Sequence, residues 1–557
     1  SSHFGSKGSW SKAPHSLFEH GVVSVPGEQV LGDMGDESLE AWRLSDEMME
    51  QVDKIRELFR ESNVTKDGQM NVEQLCDVLM KLDKSFTKEQ VQQLFSRIDK
   101  DKSGSVDLEE FLIYIFNIDE AMEIALKHKG GLHPAVVFAR IRPMATEGGH
   151  AEGEEVFMKL DGWTEGSITV VNRHDTLNFT WPKVVLGPEK SQHDVFDEAM
   201  IPLMDDWLAK CYNVQLLAYG QSGTGKTHTM FGTRESLSSD DTHPDWGIFP
   251  RSVHHALKTL NNSTKIYTTT RWLLTASAVE FYMTQAFDLI GDHALVVMDE
   301  KGMPIGLKQT RISSVSDLVP FLDSVNANRT MAKTKMNAGS SRSHCALILT
   351  LHQCDHRMNK YINTTFTVVD MAGSERTSKT GAESIPPTTL TSMMASGKKL
   401  TPQQQTGAEG GLINYELTLM ATEVQSATDA HVKKKRYVKP NKMLTTDTIR
   451  FLGRSLDGYC KLAMMVCISQ APQNGWETWF SCTYAERLSK LKAPLMKIKL
   501  KDMDKELKEA AKATAKAKKV LDDTPTTGAS AKYIPLRKGA VIAAKEYQQI
   551  LEELAAK

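Results

Sequence analysis

No apolar run in this 557-residue chain reaches the roughly 18 to 20 residues that a helix needs to cross a bilayer, so membrane insertion is not expected. Neither sign of charge is in large excess: 67 Lys and Arg stand against 70 Asp and Glu, a net charge of −3. That balance gives no global attraction to nucleic acid, and aromatics at 7% form no stacking series for single strands, so no nucleic-acid partner is expected. The seven cysteines, at 76, 211, 345, 354, 460, 467 and 482, make no CxxC pair and read as buried thiols. Heptads are missing too. The Ala- and Lys-rich stretch 500–521 lacks sustained apolar a and d positions, which excludes a strong dimerising zipper there. The opening "SSHFGSKGSW" has no basic start followed by an apolar core, so it reads as a flexible terminus or a cloning remnant, and an intracellular protein is expected.

What is present fits a soluble multidomain chain of 62.1 kDa, 40% apolar and 25% charged. Residues 1–44 carry Gly, Ser and Pro without steady periodicity and are read as a flexible segment. From Ser45 a helix, loop, helix pattern occurs twice, with a capping box at Thr87 and Gln90. "KHKGGLHP" breaks it and places a boundary near 130. Strand-like runs "VQLLAYG", "HCALILTL", "TFTVVDMAG" and "LAMMVCIS" then alternate with helical segments to about 494. The expectation is an α/β domain over 131–494, with a central, mostly parallel sheet covered by helices on both faces. Residues 495–557 read as a helical tail interrupted at "DDTPTTGASAKYIP".

Asp99 to Glu110 reads "DKDKSGSVDLEE". Oxygen ligands stand at Asp99, Asp101, Ser103, Asp107 and Glu110, with the Ser105 carbonyl and Gly104 at the sharp turn. This is the EF-hand spacing for Ca²⁺. The earlier loop, Asn63 to Gln74, keeps Asp67 and Gly68 but has Asn63, Thr65 and Gln74 where charged ligands belong. It is expected to be structural and empty, within an EF-hand pair at 45–130.

"GQSGTGKTHTM" at Gly220 to Met230 fits GxxxxGK[ST] through Gly220, Gly225, Lys226 and Thr227, after an apolar strand and before a helix. In that context loop amides hold phosphates, Lys226 neutralises the β/γ oxygens and Thr227 ligates Mg²⁺. "NAGSSRSH" at Asn337 to His344 and "DMAGSER" at Asp370 to Arg376 look like two elements that sense a terminal phosphate, through Ser340, Ser341, Asp370 and Gly373.

With Arg140, Arg142 and Pro143 as an RxRP strand, and "GIFPR", "NRT", "TKMN", "SKTGAE", Ile413–Asn414 and "TYAER" in order, residues 133–493 resemble the kinesin motor domain. The resemblance implies Mg·ATP held by Arg140, Arg142, Pro143, Gln221, Ser222, Gly223, Thr224, Gly225, Lys226, Thr227, His228, Ser340 and Asp370, with Phe196 over the adenine. It implies Mg²⁺ on Thr227 and Ser341, and chemistry assisted by Ser341, Arg342, Gly373 and Glu375. Arg342 and Glu375 take the place of an ion pair that closes the site, and truncating either is expected to abolish hydrolysis while leaving nucleotide binding. Tubulin and microtubules are the implied partner. No guanine-type NKxD stands in the late strand region.

The track-facing stretches depart from that pattern. A polar insert at 384–411 precedes "INYEL", where the family has INKSL, so Tyr415 and Glu416 replace Lys and Ser. "MLTTDTI" replaces YRDSKLT, leaving Arg450 as a remnant. The basic loop "HVKKKRYVKPNK" offers Lys433, Lys434, Lys435 and Arg436 to an acidic polymer. Two expectations follow. One is a Ca²⁺-responsive ATPase working on microtubules, with turnover that is low. The other is a non-motile, kinesin-derived protein docked on microtubules of the cytoskeleton, in a cilium or flagellum axoneme, with axonemal or cytoskeletal partners for residues 1–44 and the tail.

Overall fold

The computed structural model describes residues 69–82, 91, 92, 95, 105–107, 132–144, 158–172, 174–233, 235–238, 242–266, 270–290, 293–336, 342–374, 401–435, 437–440, 446–496, 498–525, 527 and 533–556. The chain divides into two compact units, Ser1–Gly130 and Gly131–Lys557.

In the first unit, β1 (Gln69–Met70) pairs antiparallel with β2 (Val106–Asp107), Met70 opposite Val106. Each strand comes from one of the two loops identified by sequence. Helix α1 (Val72–Leu82) starts at Asn71. There the Gln74 side chain accepts from the Asn71 amide at 2.9 Å, and the Asn71 side chain accepts from the Gln74 amide at 3.0 Å. This reciprocal cap satisfies two donors that the first turn leaves unpaired. Met70, Leu75, Val91 and Val106 are fully buried.

The second unit is built on a sheet of twelve strands among the described residues. Its long strands are β3 (Val136–Arg142), β4 (Val214–Tyr219), β5 (Thr270–Tyr282), β6 (His344–Asp355), β7 (Lys360–Asp370) and β8 (Lys461–Ser469). They lie in the order β5-β6-β7-β4-β8-β3. β7, β4, β8 and β3 run parallel to one another, whereas β5 and β6, and β6 and β7, are antiparallel. The sheet is therefore mixed. The turn between Asp355 and Lys360 is too short for the crossover that a parallel pair requires.

Period-two alternation in the central strands feeds two cores. Leu217 and Tyr219 of β4 with Leu462, Met464, Val466 and Ile468 of β8 join one apolar cluster. Val214, Leu216 and Ala218 with Ala463, Met465 and Cys467 join the other. Covered on both faces, such strands read as continuous apolar runs. Helices α2 (Lys226–Phe231), α3 (Ile248–Ile266), α4 (Leu318–Met336), α5 (Pro402–Val432), α6 (Asp447–Leu452) and α7 (Gly475–Ser489) accompany the sheet. All seven cysteines are buried, and none is in a disulfide.

The tail continues the same unit. Lys501–Asp502 pairs with the start of β7, and helices α8 (Met503–Asp522) and α9 (Ile534–Ala555) form a hairpin. Met503, Ala510, Ile550, Leu551 and Leu554 close a third cluster over Leu273, Cys354 and Tyr361 of β5, β6 and β7.

Candidate nucleotide site

The loop from Gly220 to Gly225 leaves the end of β4 and delivers Lys226 into the first turn of α2. Gly220, Gly223 and Gly225 have φ of 144°, 81° and 92°, which a side chain would strain. At Gly220 a Cβ would also lie 2.4 Å from the Cys467 carbonyl, so β8 packs directly on the loop. Nothing lies within 4 Å of a Cβ at Gly223 or Gly225. Those two positions therefore border open space beside backbone amides.

Lys226, 8% exposed, donates to the carbonyls of Gly220 at 2.8 Å and Gln221 at 2.9 Å. Thr224, also buried, donates to the Gln221 carbonyl at 2.9 Å, while Ser222 and Gly223 are exposed. At the end of β7, Asp370 accepts from the Thr227 hydroxyl at 2.8 Å through Oδ2. Its Oδ1 is buried without a hydrogen-bond partner, and Arg329 stands 3.7 Å from Oδ2. A hydroxyl and a carboxylate side by side, one carboxylate oxygen unsatisfied, form a hard-oxygen set that fits Mg²⁺. With a triphosphate in the loop, Thr227 would hold that ion directly and Asp370 would hold it directly or through water. The ion would draw off charge from the phosphate oxygens, which lowers the cost of hydrolysis.

Arg140 Nη1 donates to the Gln192 amide oxygen at 2.6 Å and to the Thr229 hydroxyl at 2.9 Å. Arg142 donates to the Gly223 carbonyl, and Pro143 is exposed at the end of β3. His228 lies beside this pair, its pKa lowered first by shielding and then by the Arg140 charge. Phe196, expected over the adenine, is 5% exposed and belongs to the core beneath, with its ring 5.9 Å from His255. This corrects its assignment: the helical turn beginning at Gln192 directs Phe196 inward, and His228 is the ring at the loop.

Gly373 is half-buried between the Ala372 amide, which donates to His344 Nδ1 at 3.2 Å, and the Ser374 amide, which donates to the Gly220 carbonyl at 3.3 Å. The segment after β7 thus touches the loop through its backbone. Burial holds the His344 pKa down near 3, so the ring is neutral. Ser340, Ser341 and Glu375 lie outside the described residues, as do Asp99, Asp101, Ser103, Glu110 and Arg436. Ser105, just before β2, and Asp107, its last residue, are described.

Arg342 pairs with Glu409 of α5 at 3.1 Å, and the Tyr282 hydroxyl donates to the other Glu409 oxygen at 2.6 Å. Ser343 donates to Glu280 at 2.6 Å, and His293 stands 2.8 Å from the second Glu280 oxygen. Sequence reasoning passed over Glu409 because it sits in the apparent polar insert. Its signal was the helical spacing of Glu409, Ile413, Glu416 and Met420 on the buried face of α5.

On the expected track face, Lys433, Lys434 and Lys435 are exposed at the end of α5. Arg450 is not free: it donates to the carbonyls of Met298 and Asp299 and stands 3.6 Å from Asp447. Its assignment as a partner contact is corrected accordingly, since α6 turns it towards the chain's own carbonyls. Glu416 is buried, 2% exposed, and so is turned into the protein.

Set beside known proteins, residues 140–491 match the kinesin motor domain family and residues 52–116 match an EF-hand domain pair. Kinesin-related protein 3 of Dictyostelium discoideum is 28% identical over 331 residues, 58% of this chain and 25% of its own length. Kinesin-like protein 3 of Schizosaccharomyces pombe is 27% identical over 361 residues, 64% and 58% of the two chains. The chromosome-associated kinesin KIF4 of Gallus gallus is 32% identical over 317 residues, 55% and 23%. The chain therefore spans under two thirds of the length of these curated relatives. A solved fast kinesin, studied for its ATPase mechanism and its interactions with microtubules, superposes with a TM-score of 0.52 at 24% identity, over 66% of this chain and 94% of that one. That likeness is one of fold.

Proposed function

The chain belongs to the kinesin motor-domain family, with an EF-hand pair ahead of the motor, and from that premise we propose that it is a Mg²⁺-dependent ATP hydrolase that binds microtubules and answers to Ca²⁺. The observation that carries this reading is the Thr227–Asp370 contact of 2.8 Å, with a buried, unpaired Asp370 oxygen beside it. The contact joins the glycine-rich loop to a carboxylate 143 positions away, which supports a phosphate loop working beside a metal ligand. The Ser374 amide on the Gly220 carbonyl supports a link between the bound phosphate and the segment after β7.

The exposed Lys433 to Lys435 support an acidic partner such as the microtubule surface, by attraction that salt weakens. Gln74 supports a division of labour in the EF-hand pair: it is neutral, and its side-chain oxygen is engaged in the cap of α1. Ca²⁺ is then held by the second loop alone, through Asp99, Asp101, Ser103, the Ser105 carbonyl, Asp107 and Glu110.

A second reading, a non-motile protein docked on microtubules as in an axoneme, is favoured by Glu416 and Arg450. Both are turned into the protein where the track face would present them. Steady-state ATP turnover with and without microtubules, each in Ca²⁺ and in chelator, separates the two. Polymer-stimulated turnover supports the motor. Flat, low turnover with retained co-sedimentation supports docking.

A further inference from the structure

The parallel ladder between β7 and β4 stops at the pair Asp370 and Ala218. Beyond it the chain keeps to the same path as far as Ser374: the Met371 amide donates to the Ala218 carbonyl at 3.3 Å, and the Ser374 amide to the Gly220 carbonyl at 3.3 Å. Tyr219, between those two carbonyls, adds a side-chain contact. Its phenol oxygen accepts from the Ser374 hydroxyl, a bond that works against the upward push of burial on the phenol. Ser374 is thereby held twice, by consecutive residues where β4 runs into the loop.

That holding point has little freedom. Tyr219 is paired with Val466 of β8, and its ring stacks on Tyr484 of α7 with centroids 4.4 Å apart and planes 15° apart. Gly220 packs so closely on the Cys467 carbonyl that a Cβ would lie 2.4 Å from it. What Tyr484 supplies is its ring face, since its hydroxyl is buried without a hydrogen-bond partner among the described residues. Such a hydroxyl costs stability and fixes nothing.

We propose that Tyr219 is a positioning residue for ATP hydrolysis: on a ring held by Tyr484, its hydroxyl fixes Ser374 and so keeps the segment from Asp370 to Ser374 beside the glycine-rich loop. The inference rests on reading Gly220–Thr227 as a triphosphate cradle. Asp370 opens that segment next to Thr227, and Gly373 lies inside it. Anchored at Asp370 alone, the segment is free to swing off the loop. Anchored at Ser374 as well, it holds its backbone where the phosphates sit before the reaction begins. Lys226 and the loop amides lie outside this tether, so its loss falls on the reaction step and not on nucleotide binding.

The test uses the full chain, with single-turnover and steady-state hydrolysis of Mg·ATP and with N-methylanthraniloyl-ADP as binding probe. Tyr219→Phe keeps the ring and the stack but loses the hydroxyl, and Ser374→Ala removes the other partner. Each should lower the hydrolysis rate about tenfold while KM and probe affinity stay within about twofold. The double variant should lose no more than either single one, because both remove one shared interaction. Ser374→Thr, which keeps a hydroxyl, should recover most of the loss. Ser374 is half-buried, so its variants decide the matter should Tyr219→Phe not fold. Wild-type rates in folded single variants, or losses that multiply in the double variant, would overturn the proposal and leave the cradle intact. A wild type that binds the probe but hydrolyses no ATP overturns it as well. A wild type that binds neither nucleotide overturns the cradle reading and this proposal with it.

Discussion

Arg342 and Glu409 form an ion pair of 3.1 Å in which the carboxylate is 2% exposed, while the guanidinium side keeps about a quarter of its surface in solvent. Tyr282 holds the other carboxylate oxygen, so the pair ties the start of β6 to α5 and to the end of β5. A buried carboxylate with a donor on each oxygen is satisfied, and its removal strands both donors. Glu409→Ala should lower unfolding free energy by about 2 kcal/mol, discounted for the exposed arginine. ATP turnover should fall more than nucleotide affinity does. Glu409→Gln, which still accepts from Tyr282, should cost less in stability. Urea midpoints and steady-state turnover check both.

Asp370→Asn removes the charge beside Thr227 without changing its shape. The Mg²⁺ concentration that half-saturates ATP binding should rise at least about tenfold, with Mg²⁺-free nucleotide binding little changed. A fluorescent-nucleotide titration at a series of Mg²⁺ concentrations measures it.

Glu416 gives a pH dependence whose sign is opposite to that of most carboxylates. Burial lifts its pKa to about 8, against hydrogen bonds from Thr446 and Thr448 that lower it. Between the ordinary carboxylate range and about pH 8 the folded state holds a proton that the unfolded state has lost, so stability falls as pH rises through that window. Glu416→Gln should be more stable than wild type near pH 8, and the difference should close as pH drops towards the carboxylate range. Urea midpoints of the two proteins across that range show the convergence or its absence.

Calorimetry of the full chain should find one tight Ca²⁺ site. Asp99→Ala should abolish it, whereas Gln74→Ala should leave the stoichiometry at one while costing helix α1 about 1 kcal/mol through its lost cap.

Leu551 of α9 is fully buried against Leu273, Cys354 and Tyr361. Leu551→Ala should cost about 3 kcal/mol of the stability of the motor unit as a whole, in a single transition shared with the sheet. A separate early transition, confined to loss of helix signal, would show the hairpin to be independent of it.

The central strands and the glycine-rich loop after β4 were legible in the sequence because each is written locally. "VQLLAYG" and "LAMMVCIS" are runs that only a doubly covered strand needs, and the glycines at 220, 223 and 225 stand where φ is positive. The direction of β5 and β6 was not legible. It depends on the turn at Asp355 and on pairings between residues up to 85 apart, such as Thr270 with Asp355. Glu409, Gln192 and Arg450 were misjudged or missed for the same reason: a side chain's partner is a three-dimensional fact. Gln192 looks like any capping-box neighbour until Arg140 and His228 arrive on either side of it. Arg450 looks like a surface cation until α6 faces it towards the carbonyls of Met298 and Asp299. The tail holds two helices, but nothing in its Ala- and Lys-rich composition announced that Tyr361 and Leu273 would be their floor.

β7 has one end under the tail and the other at the candidate nucleotide site: Tyr361 is paired with Lys501, and Asp370 closes the strand. Load applied to the hairpin enters the motor along that strand. The eleven consecutive pairings of β7 with β6 meet it in shear, the stiffest way to pull on a ladder, because many bonds must slip together and none can open singly. Slack is scarce between the last motor helix and this anchor, since the Ala493 strand is paired with His133 and the Met496 amide donates to the Gly458 carbonyl. Mechanically the tail is a handle bolted to the rod that ends in Asp370, and tension on it is felt first by the strand that sets that carboxylate beside Thr227.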